Sequence, residues 1–317
     1  MLSILIPTYN IEKLIDQTLD SVLNQPCKDL EVLVIDDGSS DRTPEILKEY
    51  EKKDSRVRVI IQENMGTGKT RNRGIPMLRG EWVIFLDHDD LMKKNFYTEE
   101  FHGQLEQYRK EGVELIVPAR AKCDEDGSNL RIEKVEKTGV FGTHDPMSWE
   151  IKHEFFSLIY SGDLLRDNIQ RRDLTFAETW PDIESVFRHK AAYLAKKVLF
   201  TNDYYFSIKR TLGSSIIHTW DFRVVQLQRF KSYRRLESWH RKVDPKDKAA
   251  YLMAVSLTAD IVIDYILRSI KKRIPLKQVR EEMEQAGMRK YLRGHHRNIK
   301  PHQKILLRLF AMVINRG

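Results

Sequence analysis

Over the first 117 residues, short apolar runs alternate with stretches of helical spacing. Leu2 to Ile6, Leu30 to Ile35, Val57 to Ile61, Trp82 to Leu86 and Val113 to Val117 are rich in branched side chains and bounded by polar loops. That is the pattern of strands buried on both faces. Between the first two runs, Leu14, Ile15, Thr18, Leu19, Val22 and Leu23 recur at intervals of three and four, which predicts a helix. Between the next two, Thr43-Pro44 reads as a helix cap followed by proline at the first helical position, with Ile46, Leu47 and Tyr50 on the inner face. Strands alternating with helices predict a largely parallel sheet covered on both sides.

In such sheets ligands bind in the crevice at the carboxyl ends of the strands. The residues placed there are Pro7-Thr8-Tyr9-Asn10, Asp36-Asp37-Gly38-Ser39, Asn64-Met65-Gly66 and Asp87-His88-Asp89-Asp90. Two acidic clusters and one aromatic residue therefore converge on one rim. Residues 121 to 150 show no regular pattern, with a turn expected at Asp124-Glu125-Asp126-Gly127, and periodicity returns near Phe155. From about Phe222 helical spacing dominates. Its apolar content is concentrated in Tyr251 to Ile270 and its breaks fall at Pro245, Pro275 and Gly287.

Composition narrows the class. A chain of 317 residues with 41 % hydrophobic content can fill one large core or two ordinary ones. The 32 % of charged residues carry both signs, so the composition is not that of a disordered chain. Cys27 and Cys123 are the only cysteines, which excludes a disulfide scaffold and a cysteine-rich metal site, and a reducing cytoplasm is the expected compartment. No segment reaches the roughly 18 to 20 uninterrupted apolar residues of a membrane span, and the start lacks a signal-peptide pattern. The expectation is a soluble or peripheral protein.

Charge is unevenly placed. Residues 222–317 hold 23 Lys and Arg against 8 Asp and Glu, a net +15, while residues 1–221 hold 31 against 38, a net −7. Two parts with different partners are expected. Lys271-Lys-Arg273, Arg289 to Arg297 and the basic-flanked apolar run Lys304 to Arg316 suit an anionic membrane surface or an anionic glycan. The same part is where an oligomer contact would form. A nucleic-acid role is not expected, because the first part has no matching basic stripe.

Five ordered motifs carry a resemblance to a known family. They are Ser3-Ile-Leu-Ile-Pro-Thr-Tyr-Asn10, Ser21-Val-Leu-Asn-Gln25, Glu31-Val-Leu-Val-Ile-Asp-Asp-Gly-Ser-Ser-Asp-Arg-Thr43, Arg71-Asn-Arg-Gly74 and Phe85-Leu-Asp-His-Asp-Asp90. Together the chain resembles the family 2 glycosyltransferases, of the bacterial cell-surface polysaccharide and teichoic-acid type. The resemblance implies an α/β GT-A fold, a mostly parallel central sheet with helices on both faces. Its expected extent is 1–220, with a nucleotide-binding half at 1–95 and an acceptor half at 96–220, followed by a basic helical module at 221–317.

The resemblance also implies roles. A UDP-sugar donor would lie against Pro7, Thr8, Tyr9, Asp37, Asn64, Arg71, Asp87 and His88, with Tyr9 stacking on the base, Asp37 contacting it and Asp87 facing the ribose. Arg71 would pair with the pyrophosphate or with a rim aspartate. Asp89 would bind a divalent metal, Mn2+ or Mg2+, since three carboxylates after one strand repel one another unless a cation or donors compensate them. Asp182, in Phe176-Ala-Glu-Thr-Trp-Pro-Asp-Ile-Glu184, matches the family's catalytic base, but Pro181 stands where the family has glutamate, so Glu184 and Glu178 remain rivals. Trp180, Arg210 and Ser214 match the diphosphate and acceptor region, and His218 is a candidate third metal or phosphate ligand. The reaction implied is inverting transfer to a hydroxyl of a glycan, glycolipid or anionic polymer, by an enzyme peripheral to the inner face of the plasma membrane.

Other readings were open to test. Gly66-Thr-Gly-Lys-Thr70 resembles a phosphate loop, but the glycine needed five positions before Gly68 is Glu63. A nicotinamide enzyme would need a glycine-rich turn after the first strand, where this chain has Pro-Thr-Tyr-Asn. A non-catalytic nucleotide-sugar-binding protein is the alternative that Pro181 keeps open.

Overall fold

The computed structural model describes residues 1–124, 128–142, 145, 157–171, 174–176, 184–211, 221–289 and 301–316, with the backbone alone at 185, 210, 211 and 313–316. The chain divides into two units, Met1–Glu178 with Ile183–Ser215, and Thr179–Asp182 with Ile216–Gly317.

The first unit is built on the apolar runs. β1 (Leu2–Thr8), β2 (Leu30–Asp36), β3 (Val57–Ile61) and β4 (Trp82–Phe85) pair in parallel, in the order β3-β2-β1-β4. The sheet continues through β10 (Ile159–Ser161), β6 (Leu115–Val117), β11 (Lys197–Phe200) and β9 (Gly139–Gly142), with β10 and β9 antiparallel to their neighbours. Register sets Ile4 opposite Val32 and Ile84, and Leu5 opposite Leu33 and Phe85. Because side chains alternate along a strand, these two rows face opposite sides. The Ile4 row packs with Ile15, Leu19 and Val22 of α1 (Ile15–Leu23) and Leu105 of α4 (Glu99–Lys110). On the other side Phe85 makes edge contacts with Tyr160, Phe176 and, on α6 (Ser185–Leu194), Phe187, and Phe176 stacks on Phe187 with centroids 3.8 Å apart. All seven residues of β1 and of β2 are buried, which is why these strands lack a polar face.

Helix ends follow local chemistry. Thr98 caps α4 by accepting from the Phe101 N–H, and Glu99, Glu100, Arg109 and Lys110 place charge in accord with the helix dipole. α2 (Thr43–Lys53) departs from expectation: Thr43 lies inside the helix and is not its cap. Its hydroxyl accepts from the Ile11 N–H, while Asp41 accepts from the Thr43 N–H.

The irregular stretch expected at 121–150 is partly regular. β7 (Arg120–Asp124) and β8 (Arg131–Glu133) join β5 (Leu91–Met92) and β12 (Ser207–Thr211) in a second sheet of order β5-β12-β7-β8. All three residues of β8 are exposed, and β9 is half-exposed or exposed throughout. Neither strand needs an apolar run, so no periodic signal marks them.

α5 (Gly162–Gln170) begins against the chain before β4: the Gly162 N–H donates to the Glu81 carbonyl, and a Cβ at Gly162 would lie 2.2 Å from the Gly80 carbonyl oxygen. Gly162→Ala is expected to destabilise by roughly 1–3 kcal/mol through overpacking. This exceeds the gain of up to about 1 kcal/mol from removing a helix glycine. Denaturant unfolding checks it, and an unchanged or higher midpoint refutes it.

The second unit is helical, with α7 (Phe222–Val243), α8 (Lys248–Lys271), α9 (Leu276–Gln285) and α10 (Pro301–Arg316). Asp221 and Asp247 cap α7 and α8 by accepting from the N–H groups of Arg223 and Ala250. Phe230, Val255, Ala259, Val262, Ile266, Val279, Met283, Leu307 and Phe310 form its core. By length and composition α8 is apolar enough to cross a membrane, a feature that a search for uninterrupted apolar runs passes over. Its Val255, Ala259, Val262 and Ile266 are spent on this core, so α8 serves as a core helix here.

Candidate active site

The four expected loops sit at the carboxyl ends of β1, β2, β3 and β4, as parallel pairing requires. After β1, Pro7 and Thr8 are buried and Tyr9 is 46 % exposed, with its ring turned out of the core. Asn10, at φ 48°, turns the chain: its N–H donates to Ser39 Oγ and its side-chain oxygen accepts from the Ser40 N–H. The first rim loop is thereby tied to the second.

After β2 the two aspartates divide their work. Asp36 is fully buried and accepts from Thr8 Oγ1, Ser39 N–H and Ser39 Oγ. Asp37 is 4 % exposed; Oδ1 accepts from Gln62 Nε2 at 2.8 Å and Met65 N–H at 2.9 Å, and Oδ2 from Gly66 N–H at 2.8 Å. The loop that carries exposed Asn64 is thus shaped by Asp37. A carboxylate offers about four acceptor sites, so three donors leave one, on Oδ2. Gly38, at φ +77°, lets the two loops approach, since a Cβ there would lie 2.8 Å from Asn64 N. Asp37→Asn would turn an N–H donor toward one of these N–H groups. The expected cost is about 1–3 kcal/mol, measured by thermal unfolding; unaltered stability would show that the loop does not depend on this carboxylate.

After β4 comes the densest charge. One ligand atom from each of Asp87, Asp89 and Asp90 lies within 4.8 Å of the others. Asp90 is buried, and Asp87 and Asp89 are half-buried. Burial, and next the charge of Asp87, push the Asp89 carboxyl above its ordinary range. Thr18 Oγ1 on α1 lies 2.8 Å from the His88 carbonyl and 3.0 Å from that of Asp90, fixing the loop from below. His88 Nδ1 is 3.0 Å from the Pro7 carbonyl. A carbonyl only accepts, so a neutral His88 paired this way carries its proton on Nδ1 and keeps Nε2 as an acceptor.

Arg71, on α3 (Thr67–Gly74), is 1 % exposed. It donates to Asp87 Oδ1 at 2.6 Å, reaches Glu184 Oε1 at 3.4 Å and lies over the Phe176 ring at 5.4 Å from the centroid. The expected pairing with a rim aspartate is present. The next residue, Asn72, forms a two-bond amide bridge to the backbone of Phe176: Nδ2 donates to its carbonyl and Oδ1 accepts from its N–H. Sequence reasoning missed this bridge, as it missed Thr18 and Gln62. Asn72 stands in a quoted motif, but its partner lies 104 residues away and no local signal joins them.

Among the remaining candidates, Arg210 lies on β12, its backbone opposite Cys123. The Arg210 side chain, and all of Glu178, Trp180, Pro181, Asp182, Ser214 and His218, lie outside the described residues.

The family model for glycosyl transferase family 2 matches residues 3–161, half of the sequence, and spans every loop of this rim. The chain belongs to glycosyl transferase family 2. Its first unit therefore has the GT-A fold that the motifs imply. Related proteins of the family include the uncharacterized glycosyltransferase EpsJ of Bacillus subtilis, 30 % identical over 198 residues, which are 59 % of this chain and 56 % of that protein. The poly(ribitol-phosphate) beta-N-acetylglucosaminyltransferase TarS of Staphylococcus aureus is 30 % identical over 241 residues, 69 % of this chain and 38 % of TarS. The matches thus span about half or less of these relatives. The structure of TarS 1-349 in complex with UDP-GlcNAc superposes with a TM-score of 0.67 at 20 % identity, covering 89 % of this chain and 78 % of that one. A mannosyltransferase from Pyrobaculum calidifontis, in complex with GDP-Man and Mn2+, has a TM-score of 0.52 at 15 % identity, covering 98 % and 86 %.

Proposed function

We propose that this glycosyltransferase moves a sugar, with inversion, from a UDP-sugar to a hydroxyl of a cell-surface glycan, glycolipid or teichoic-acid-like acceptor. The observation that carries the reading is the cluster of Asp87, Asp89 and Asp90 at the end of a buried parallel strand, beside exposed Tyr9 and ion-paired Arg71. UDP-GlcNAc in TarS supports uracil as the base, and the poly(ribitol-phosphate) in its name supports an anionic polymer as acceptor.

The residues fit a divalent ion. Three carboxylates gathered within 4.8 Å, one pushed up by burial and by its neighbour's charge, gain from a compensating cation. Asp89 would hold it, with His218 as a further ligand, and when bound it supplies positive charge against the departing diphosphate. Tyr9 offers its exposed face to the base, worth about 1–3 kcal/mol for such stacking. Asp37 offers its one open acceptor site to a uracil N–H. Asp87, held by Arg71, keeps a fixed orientation toward the ribose, and Arg210, Ser214 and Trp180 serve the diphosphate and acceptor. Asp182 accepts the proton of the acceptor hydroxyl as its oxygen bonds to the anomeric carbon. The bond from that carbon to the diphosphate oxygen breaks, its electron pair stays with UDP, and the single displacement inverts the anomeric centre.

The second unit, with its excess of positive charge, meets an anionic partner at the cytoplasmic face of the plasma membrane. The catalytic reading is tested with a panel of UDP-sugars and Mn2+ or Mg2+, following UDP release and the product's anomeric configuration by proton NMR. An inverted product is expected; retention, or turnover undiminished by chelator, overturns the proposed chemistry.

A further inference from the structure

The turn between α8 and α9 gathers features that the helical core does not need. Leu267, Ile270 and Leu276 are 47 %, 49 % and 39 % exposed within ten consecutive residues. Around them Arg268, Lys271, Lys272, Arg273 and Lys277 are all exposed, and no acidic residue occurs between Asp264 and Glu281. The acids nearest this end are already engaged. Asp264 pairs with Arg268, and Asp221 and Glu282 both pair with Arg223. Among the described residues, Lys271, Lys272, Arg273 and Lys277 form no ion pair, although Lys272 lies 4.9 Å from the centroid of the Phe222 ring.

The turn is also shaped in advance. Arg273 adopts φ 55°, its N–H bonded to the Ile270 carbonyl and the Ile274 N–H to that of Ser269. Glycine adopts this conformation at helix ends with less strain. A base stands there instead, exposed to solvent. Exposed aliphatics interleaved with unpaired bases, on a backbone already fixed, match a surface that is apolar beneath and anionic above.

We propose that the 267–277 turn docks on an anionic lipid surface, seating Leu267, Ile270 and Leu276 among the headgroups while Lys271, Lys272, Arg273 and Lys277 contact lipid phosphates. This rests on the reading that the second unit meets an anionic partner, and it commits that partner to a membrane. α10 also exposes Ile305, Leu309 and Met312, but with fewer bases beside them, so it serves as the control.

The test is co-sedimentation of the full chain with phosphatidylcholine vesicles, with or without phosphatidylglycerol, at low and high salt. Binding selective for the anionic vesicles is expected. Each base near an anionic surface contributes about fivefold, so Lys271→Glu, Lys272→Glu and Arg273→Glu combined should weaken it at least tenfold. Leu267→Ser with Ile270→Ser should abolish the part that survives high salt. All five positions are exposed, so unfolding midpoints and UDP binding should match the parent. Ile305→Ser with Leu309→Ser should leave vesicle binding within about twofold. Loss in the α10 variant with retention in the turn variants overturns the proposal. Binding of soluble polyphosphate without vesicles overturns it and keeps the broader anionic-partner reading; binding of neither removes both. Self-association abolished by Leu267→Ser and Ile270→Ser, without vesicle binding, would give the patch to a second copy and also overturn it.

Discussion

Asp182→Asn is expected to bind UDP-sugar as the parent does and to lose transfer by a factor of roughly 100 to 10,000, the scale of removing a positioned general base. Amide and carboxylate are nearly isosteric, so donor contacts and fold persist while the proton acceptor goes. Single-turnover kinetics with saturating donor, beside donor affinity by calorimetry, separate the two effects. Turnover near that of the parent would move the role to Glu178 or Glu184. The structure gives Glu184 another task, since Arg71 already reaches its carboxylate at 3.4 Å. Glu184→Gln should therefore weaken an ion pair of Arg71, and its effect on the chemical step should be smaller than that of Asp182→Asn.

Asp89→Asn should abolish stabilisation by Mn2+ with UDP and reduce transfer roughly a thousandfold, corresponding to the several kcal/mol attributed to such an ion. Without metal, the same substitution should raise the unfolding midpoint. Burial and the charge of Asp87 lift the Asp89 carboxyl above its ordinary value in the folded chain. A group raised in this way favours folding at acid pH, and that contribution is lost as pH rises through the folded value. An uncharged Asn escapes the loss at neutral pH. For the same reason, metal affinity in the parent should fall as pH drops toward the raised value, because protons compete for the ligand. A thermal-shift series over pH, with and without Mn2+, reads both effects. If Asp89→Asn keeps its metal response, the ion is held elsewhere.

The strands within the first 95 residues were legible because they are buried on both faces, which leaves continuous apolar runs such as Leu2 to Ile6. The rim residues followed from topology, since parallel pairing brings every such loop to one edge. β7, β8 and β9 were not legible: β8 and β9 bury none of their residues, and β7 buries only Ala121 and Cys123, too short an alternation to stand out. The part Asp37 plays in shaping the next loop was hidden for another reason. Asp-Gly-Ser announces a turn, but the donors that fill its carboxylate come from a loop 25 to 29 residues later. Arg71 and Asn72 stand together in a visible motif, yet Glu184 and Phe176 become their partners only when the sheet brings distant segments together. Asp182, Ser214 and His218 rest on the resemblance.

The burial of Arg71 has a bearing on how ionic strength acts on the enzyme. At roughly physiological salt, exposed charges are screened over about 8 Å, whereas a partly buried contact pair is screened much less. Arg71 and Asp87, 2.6 Å apart with the arginine almost wholly enclosed, fall in the second class. The bases at 271–273, open to solvent on every side chain, fall in the first. Salt should therefore act selectively: it should weaken the ionic part of the proposed attachment at 267–277 while leaving the Arg71–Asp87 contact intact, so the two can be titrated apart in one preparation.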